Sequence, residues 1–237
     1  MKQYFNLIYK DTKDSYFKKV SSWLKNNELK FIITANPETL TMASNDTEVN
    51  DMLLDKSNSI IPDGIAIVKA GNMLGFNIKE RIAGVDVAEY LLSEANKQNK
   101  SLYLFGAKEE VINLLVSKIK EDFPNIKILG YSNGYVEDRD KVFKKIIKLK
   151  PDVCLVALGI PYQEKLIYKY LDKIDKGIYA GVGGSFDVIS GSKKRAPKIF
   201  IKLNLEWLYR IIKEPKRLKR FWNNNIKFMI RIKKEKK

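Results

Sequence analysis

Short apolar runs alternate with longer amphipathic stretches along most of this chain. Brief runs of β-branched, aliphatic or aromatic residues bounded by polar turns are typical of buried strands. Six of them occur, at 29–34, 59–61, 101–105, 126–131, 152–159 and 177–182. Apolar residues at helical spacing fill the segments between them. A strand followed by a helix, repeated about six times, predicts an α/β fold with a doubly wound, mostly parallel Rossmann-like sheet and helices on both faces.

Two local patterns extend this prediction toward the N-terminus. The stretch FNLIY at 5–9 has the composition of a short strand or an edge segment. The stretch 38–56 has the pattern of a helix, and Pro37 suits its first turn because the first N–H groups of a helix have no partner there. We therefore expect an extra edge strand at 5–9 and a continuous helix after Pro37.

The pattern changes after Ser192, where apolar residues at helical spacing are embedded among lysines and arginines. One apolar stripe lies within 198–213, and Pro215 separates it from a second stripe formed by Leu218, Phe221, Trp222, Ile226, Met229 and Ile232. We therefore divide the chain into a Rossmann-like domain at 1–195 and a basic amphipathic helical appendage at 196–237.

Most of the net charge lies in the same region. Residues 193–237 contain 17 basic and 3 acidic residues, which contribute +14 of the formal +16. A basic amphipathic helix with aromatic residues on its apolar side is typical of contact with an anionic membrane surface. The alternative is a helix packed on the domain with solvated lysines. That alternative fits 198–213 better, whereas charge density and aromatic content favour the membrane for 216–237.

Composition excludes several kinds of catalytic and metal site. The chain has no histidine and a single cysteine, Cys154, within an apolar run. Ser-His and Cys-His catalysis and a structural zinc site are therefore excluded, so proton transfer falls to Asp, Glu, Lys or Tyr. We expect no cofactor and no metal site. No uncharged apolar run approaches eighteen residues, and the N-terminal stretch is too short for a signal peptide, so we expect a cytoplasmic protein.

An acid and a permanent cation lie at two predicted loops. Asp63 follows the strand-like run that begins at Ser59, and Arg81 lies eighteen residues later in RIAGVD. Ligands of open α/β sheets bind at the carboxyl ends of the strands, so Asp63 is a candidate catalytic residue. Together the two residues suggest chemistry on an anionic substrate. The alternative is that Pro62, Asp63 and Gly64 form only a turn.

Glycines follow three other predicted strands, at FGA (105–107), ALG (157–159) and GVGGS (181–185). Glycine lets the backbone approach a ligand closely and presents amide groups at helix starts, an arrangement that suits phosphate. None of the three is a complete dinucleotide-binding or P-loop sequence. A tight turn with nothing bound is therefore the alternative at each.

Five stretches at predicted strand ends and in the appendage form a recognisable set. They are TANPETL (34–40), IIPDGIAIVKA (60–70), ERIAGVD (80–86), ALGIPYQEKL (157–166) and the segment from GVGGSFD to RLKRF (181–221). In this order they resemble the WecG/TagA/CpsF glycosyltransferases of bacteria. The resemblance implies inverting transfer of an N-acetylhexosamine, typically N-acetylmannosamine from its UDP donor. The implied acceptor is undecaprenyl-diphosphate-linked N-acetylglucosamine, in synthesis of wall teichoic acid or a related surface polymer.

The resemblance also implies roles for individual residues, both in a catalytic domain at 1–195 and in the appendage at 196–237. Asp63 is the expected base, and Thr34 and Asn36 are expected to position sugar and acceptor. The residues expected to contact donor or acceptor are Arg81, Gln163, Arg210, Arg217 and Arg220. The residues expected beside the nucleotide are Gly106, Gly183, Gly184 and Asp187.

The expected partners are a UDP-sugar donor, the lipid-diphosphate-linked acceptor and the anionic inner face of the cell membrane. The sequence leaves a homo-oligomer open. A basic tail also attracts RNA, but no RNP, KH or helix-turn-helix sequence is present, so no nucleic acid is expected. A dinucleotide-dependent oxidoreductase has a similar fold, but the chain has no complete G-x-G-x-x-G sequence.

Overall fold

Parallel strands form one sheet at the centre of the molecule. The computed structural model describes residues 1–236, apart from the side chains of Arg217, Arg220 and Lys236. The strands are β1 Lys30–Ala35, β2 Ser59–Pro62, β3 Ser101–Gly106, β4 Lys127–Ser132, β5 Val153–Ala157 and β6 Ile178–Gly181. Their order across the sheet is β2-β1-β6-β5-β3-β4, and every described pair of neighbours is parallel. The doubly wound α/β sheet predicted from the alternating pattern is confirmed.

A helix follows each strand. The helices are α1 Lys2–Leu7, α2 Lys13–Lys25, α3 Pro37–Ala43, α4 Thr47–Leu54, α5 Ile65–Met73, α6 Gly84–Lys97, α7 Glu109–Asp122, α8 Arg139–Leu149, α9 Tyr162–Lys169, α10 Ser185–Ile189, α11 Lys198–Lys202, α12 Glu206–Lys213, α13 Arg217–Phe221 and α14 Lys227–Lys236. A 3₁₀ helix, Leu171–Lys173, follows α9, and a π turn, Trp222–Ile226, joins α13 to α14. Because the strands are parallel, their strand-to-helix loops lie at one edge of the sheet, which we call the carboxyl edge.

Strand residues alternate between two hydrophobic clusters, one on each face of the sheet. In β1, Ile33 belongs to the first cluster and Ile32 to the second, and Phe105 and Leu104 alternate in the same way in β3. The first cluster includes residues of α3, α5, α8 and α9, whereas the second includes residues of α6, α7 and α10. The neighbours β1 and β6 thus lead to helices on opposite faces, as do β5 and β3. Loops that diverge in this way open a crevice in which α/β proteins bind ligands.

Two local predictions near the N-terminus are wrong. The segment 5–9 lies mostly in α1, and only Ile8 pairs with Ile60, in an isolated parallel bridge. A short apolar run does not distinguish a strand from a buried helix, and here the helix places Phe5 in the first cluster. The stretch 38–56 forms two helices, because the Asp46 side chain accepts a hydrogen bond from the Val49 N–H and caps α4.

The appendage packs differently from the sequence prediction. Phe228 and Ile232 of α14 are buried in the first cluster, whereas the exposed large apolar residues of the appendage include Ile199, Leu203, Ile212, Leu218 and Trp222. The prediction that 198–213 packs on the domain is therefore wrong for Ile199, Leu203 and Ile212. The prediction that 216–237 lies on a membrane is wrong for Phe228 and Ile232, whereas the exposed Leu218 and Trp222 fit it. For α14 the physical reason is the π turn before it, since the extra residue rotates the face of the helix that follows. The boundary between residues 195 and 196 stays a prediction. No described helix is long and apolar enough to cross a bilayer.

Replacing Ile232 with alanine is expected to lower the free energy of unfolding by about 2 to 5 kcal/mol, because a buried aliphatic side chain leaves a cavity. Ile230 lies on the same helix and is 50% exposed, whereas Ile232 is 0% exposed. Ile230→Ala is the matched control, with an expected change below about 0.5 kcal/mol. Urea denaturation followed by circular dichroism measures both. Equal effects would contradict the docking of α14 on the domain.

Candidate active site

Asp63 lies at the carboxyl edge, directly after β2. Its N–H donates to the Ala35 carbonyl at 2.8 Å, which continues the pairing of β2 with β1 past Pro62. Gly64 follows with a φ of 104°, so the chain turns sharply into α5. The Gly84 N–H, at the start of α6, hydrogen-bonds to the Asp63 carboxyl. The turn therefore exists, and it holds a half-buried acid against the N-terminus of α6.

The surroundings of Asp63 alter its affinity for a proton. Burial raises the pKa of the Asp63 carboxyl above its ordinary value. Arg81, Arg210 and the Gly84 N–H act in the opposite direction, and Glu206 adds to the increase. A carboxyl whose pKa is raised toward the working pH accepts a proton more readily than an ordinary surface aspartate. The environment therefore suits general-base catalysis.

Arg81 reaches the same edge through the loop between α5 and α6. The Ile82 N–H donates to the Pro62 carbonyl at 3.0 Å, which places Arg81 beside the end of β2. The Nη2 atom of Arg81 donates to Glu206 Oε2 at 2.8 Å. Arg81 is therefore held between the sheet and the appendage.

The partner of Arg81 lies at the centre of a group of charges. Glu206, in α12, is 5% exposed, and its Oε1 atom is 3.6 Å from Arg210 Nη2 and 3.8 Å from Arg195 Nε. Arg195 also contacts Asp86 at the start of α6. The appendage therefore brings a buried carboxylate and the Arg210 guanidinium to the edge that holds Asp63.

Thr34 and Asn36 lie at the end of β1, beside the strand that leads to Asp63. Thr34 is buried against the first turn of α6. The Asn36 Oδ1 atom accepts hydrogen bonds from the N–H groups of Glu38 at 2.9 Å and Thr39 at 3.1 Å, and so caps α3. This cap does not use the Asn36 amide nitrogen. Asn36 therefore has a structural role as a helix cap, and Thr34 packs near the end of β1. The catalytic role of both residues stays a prediction.

Gln163 joins two loops of the carboxyl edge. It is 1% exposed, and its Oε1 atom accepts from the N–H groups of Gly159 at 3.2 Å and Gly183 at 3.1 Å. Its Nε2 atom donates to Glu164 Oε1 at 2.7 Å. These contacts tie the loop after β5 to the loop after β6. Direct contact of Gln163 with a substrate stays a prediction, and the observed bonds favour an indirect role through loop shape.

Glu164 is a buried carboxyl that the sequence did not single out. Its Oε2 atom has no hydrogen-bond partner among the described residues. Burial raises the pKa of Glu164 to about 7, against a smaller opposing effect of the Gln163 hydrogen bond. The carboxyl therefore holds its proton at pH values where an exposed glutamate is ionised.

The glycines of the other loops lie at the same edge. Gly106 has a φ of 136°, and a Cβ there would overlap the Ala157 backbone, so glycine is needed for β3 to lie against β5. Gly183 has a φ of 48°, Gly184 is exposed, and Asp187 in α10 lies 3.7 Å from the amino group of Lys193. Contact of these residues with a nucleotide stays a prediction.

The three arginines predicted in the appendage have different outcomes. Arg210 approaches Asp63 closely enough to affect its pKa. Arg217 and Arg220 lie in α13, but their side chains are outside the described part of the structure. Within the described residues, no group of three or more His, Cys, Asp or Glu side chains is arranged to hold a metal ion.

Comparison with known proteins assigns the chain to a family. The model of the glycosyl transferase WecG/TagA/CpsF family matches residues 4–237. The chain belongs to this family. It is 50% identical over 189 residues to N-acetylglucosaminyldiphosphoundecaprenol N-acetyl-beta-D-mannosaminyltransferase of Bacillus subtilis (strain 168), covering 80% of this chain and 73% of the relative. Proteins of the same name from Bacillus spizizenii and Staphylococcus aureus (strain MW2) are 41% identical over 200 residues and 36% over 208. These two alignments cover 84% and 87% of this chain, and 77% and 81% of the relatives.

The family resemblance predicted from five stretches is therefore confirmed. The predicted site residues did not include two members of the group of charges around Arg81. Glu206 and Arg195 both lie within the quoted segment 181–221 of this WecG/TagA/CpsF member. One signal was available for Glu206, because it is one of 3 acidic residues among 17 basic ones in 193–237. An acid that persists in so basic a segment suggests a specific partner.

The raised pKa of Glu164 predicts a pH-dependent stability. Between the ordinary value of 4.5 and about 7, the folded protein keeps a proton that the unfolded chain has lost. Stability is therefore expected to fall as pH rises through this range, by on the order of 3 kcal/mol at most. Glu164→Gln retains an acceptor for the Gln163 amide and lacks the titration, so its stability should not fall in this way.

Urea denaturation at a series of pH values from 4.5 to 8 tests this expectation. Glu110→Gln, on an exposed position of α7, is the matched control, and its profile should overlay that of the unmodified protein. The interpretation fails if Glu164→Gln and the unmodified protein have parallel profiles.

Proposed function

We propose that this protein transfers an N-acetyl-β-D-mannosaminyl group from a UDP-sugar to N-acetylglucosaminyldiphosphoundecaprenol, in synthesis of wall teichoic acid or a related polymer. The observation that carries the proposal is the 50% identity over 189 residues to the Bacillus subtilis enzyme of that name. The charges at the carboxyl edge support it, because donor and acceptor are both diphosphates. No observation favours a nucleic acid as the partner.

Asp63 is the proposed base. Inversion requires that the acceptor hydroxyl lose its proton as its oxygen attacks the anomeric carbon of the donor sugar. The proton passes to an Asp63 carboxyl oxygen, the new glycosidic bond forms, and the bond from the sugar to UDP breaks. The raised pKa of Asp63 assists this transfer, since a stronger base takes the proton more readily.

Arg81 and Arg210 are the proposed phosphate contacts. Guanidinium groups bind phosphate oxygens in a bidentate manner and stabilise the charge that develops on a leaving diphosphate. Both act on Asp63 electrostatically, so a phosphate held by them lies near the base. Thr34 and Asn36, at the adjacent strand end, are proposed to orient the sugar and the acceptor hydroxyl.

The glycine loops are the proposed nucleotide site. Only β1 separates β2, which leads to Asp63, from β6, which leads to Gly183, Gly184 and Asp187. At the usual strand spacing this separation is about 10 Å. That distance accommodates a sugar between the base and a diphosphate. Gly106 lies farther along the same edge, and Gln163 shapes the loops between them.

The appendage is the proposed membrane contact, at the inner face of the cell membrane. Large apolar residues are exposed on it although it carries a strong positive charge, and they include Ile199, Leu203, Ile212, Leu218 and Trp222. Such a surface suits an anionic bilayer that holds a lipid-linked acceptor. A homo-oligomer stays a prediction.

Asp63→Asn is expected to lower kcat by about a hundred- to ten-thousand-fold, because it removes the general base. Binding of UDP should remain close to that of the unmodified protein. The assay uses radiolabelled UDP-N-acetylmannosamine and a short-chain lipid-diphosphate N-acetylglucosamine acceptor, with UDP-N-acetylglucosamine as the competing donor. Asp122→Asn, on the exposed end of α7, is the matched control and should retain full activity.

Two outcomes of this assay separate the claims. Failure of the unmodified protein to use the mannosamine donor would refute the proposed reaction. Ordinary turnover by Asp63→Asn would leave the reaction standing and end the assignment of Asp63 as the base.

Replacing Leu218 and Trp222 with serine is expected to reduce binding to anionic liposomes by about tenfold or more, because both exposed apolar side chains are lost. Flotation with vesicles containing phosphatidylglycerol measures the bound fraction. Leu114→Ser is the matched control, since Leu114 is 53% exposed on α7 and Leu218 is 55% exposed. Unchanged flotation of the double variant would show that this surface does not contact the bilayer.

A further inference from the structure

Glu206 is buried in a place where a carboxylate is costly unless it is paired. One oxygen, Oε2, accepts from Arg81 Nη2 at 2.8 Å. The other oxygen, Oε1, has no hydrogen-bond partner among the described residues, although Arg210 Nη2 lies 3.6 Å away. Glu206 thus lies between an arginine of the sheet domain and an arginine of its own helix.

Arg195 provides a second line of evidence at the same place. Its Nε atom is buried without a hydrogen-bond partner in the described structure and faces Glu206 Oε1 at 3.8 Å. Its guanidinium is held from the other side by Asp86 and by Glu89 at 3.1 Å. The chain therefore brings cations from three separate segments to one carboxylate.

The charged groups and the N–H group that act on Asp63 come from one loop and two helices. Arg81 lies in the loop before α6, the Gly84 N–H begins α6, and Arg210 and Glu206 lie in α12. Glu206 is the negative member of this set. It opposes ionisation of Asp63 by its charge and, through its bond to Arg81, fixes one of the cations that favour ionisation.

We propose that Glu206 is a positioning residue that holds Arg81 and Arg210 beside Asp63 and fastens α12 over the carboxyl edge. The consequence for catalysis rests on the proposed function, in which Asp63 is the base. The consequence for the charge state of Asp63 is independent of the proposed function. The appendage, through one carboxylate, sets both the position of the phosphate-binding arginines and the readiness of the base.

The test that is independent of activity is an NMR titration of the Asp63 side-chain carboxyl carbon in the full chain. Asp63→Asn identifies its resonance. Glu206→Gln keeps an oxygen that can accept from Arg81, so it removes the negative charge and leaves the cation held. The midpoint of the Asp63 titration should then move to lower pH, because a charge that opposes ionisation is lost. Glu89→Gln also removes an acidic partner of Arg195, but Glu89 is not among the main groups that shift the Asp63 pKa, so the midpoint should stay close to that of the unmodified protein.

Kinetics supply the second readout. In Glu206→Gln the acid limb of kcat/KM should move to lower pH with the Asp63 midpoint. In Glu206→Asp, which keeps the charge but retracts it from Arg81, kcat should fall by on the order of tenfold or more. The limb should not move to lower pH in this variant, because the negative charge remains and Arg81, which favours ionisation of Asp63, is held less firmly. If Glu206 were purely structural, both variants would lower stability. The acid limb would then stay in place in Glu206→Gln, and kcat would stay unchanged in Glu206→Asp.

The outcomes are distinguishable. An unmoved Asp63 midpoint in Glu206→Gln, or an equal movement in Glu89→Gln, would overturn the inference whether or not the proposed reaction is correct. If Glu206→Gln does not fold, Glu206→Asp decides through kcat, and ordinary turnover in that variant overturns the positioning role. Inactivity of the unmodified protein with the donor bears on the proposed function alone.

Discussion

The burial of charge at the carboxyl edge is the constraint on which the rest of the site depends. A half-buried aspartate needs compensating charge, and Asp63 obtains it from Arg81, Arg210 and the N–H of α6. The arginines in turn are partly neutralised by the buried Glu206. Removing any one group leaves another without compensation. The site is therefore a property of the assembled chain, since no single loop of the sheet contains it.

Strand order keeps the charged groups and the glycine loops in separate parts of one edge. The acid follows β2 at the end of the sheet, whereas the glycine loops follow β6 and β3 in its interior. Gln163 accepts hydrogen bonds from the loops after β5 and β6 and so fixes the position of one loop relative to the other. A parallel sheet thus places its strand-to-helix loops in a row along one edge, and helices on both faces shield its apolar sides from water.

The sheet could be predicted from sequence because its strands, apart from the more exposed β4, are buried on both faces and therefore form continuous apolar runs. Asp63 and Arg81 could be found because the loops after such runs are few. Glu206 could not be found in this way, because its spacing from Arg210 is typical of a solvated helix and its bond to Arg81 spans 125 residues. The rotated face of α14 was also hidden, because a helical periodicity count assumes that no π turn interrupts the helix.

The appendage is fixed at two points, by Glu206 at the start of α12 and by Phe228 and Ile232 in α14. The exposed Leu218 and Trp222 lie between these points. A segment anchored on both sides has little freedom to swing, so the height of its apolar residues above Asp63 is set by the fold. For an acceptor anchored in a bilayer, an appendage fixed in this way would set the distance between the lipid surface and Asp63. In the proposed reaction, this fixed height would determine how far the acceptor head group must rise from the lipid surface before its hydroxyl reaches Asp63.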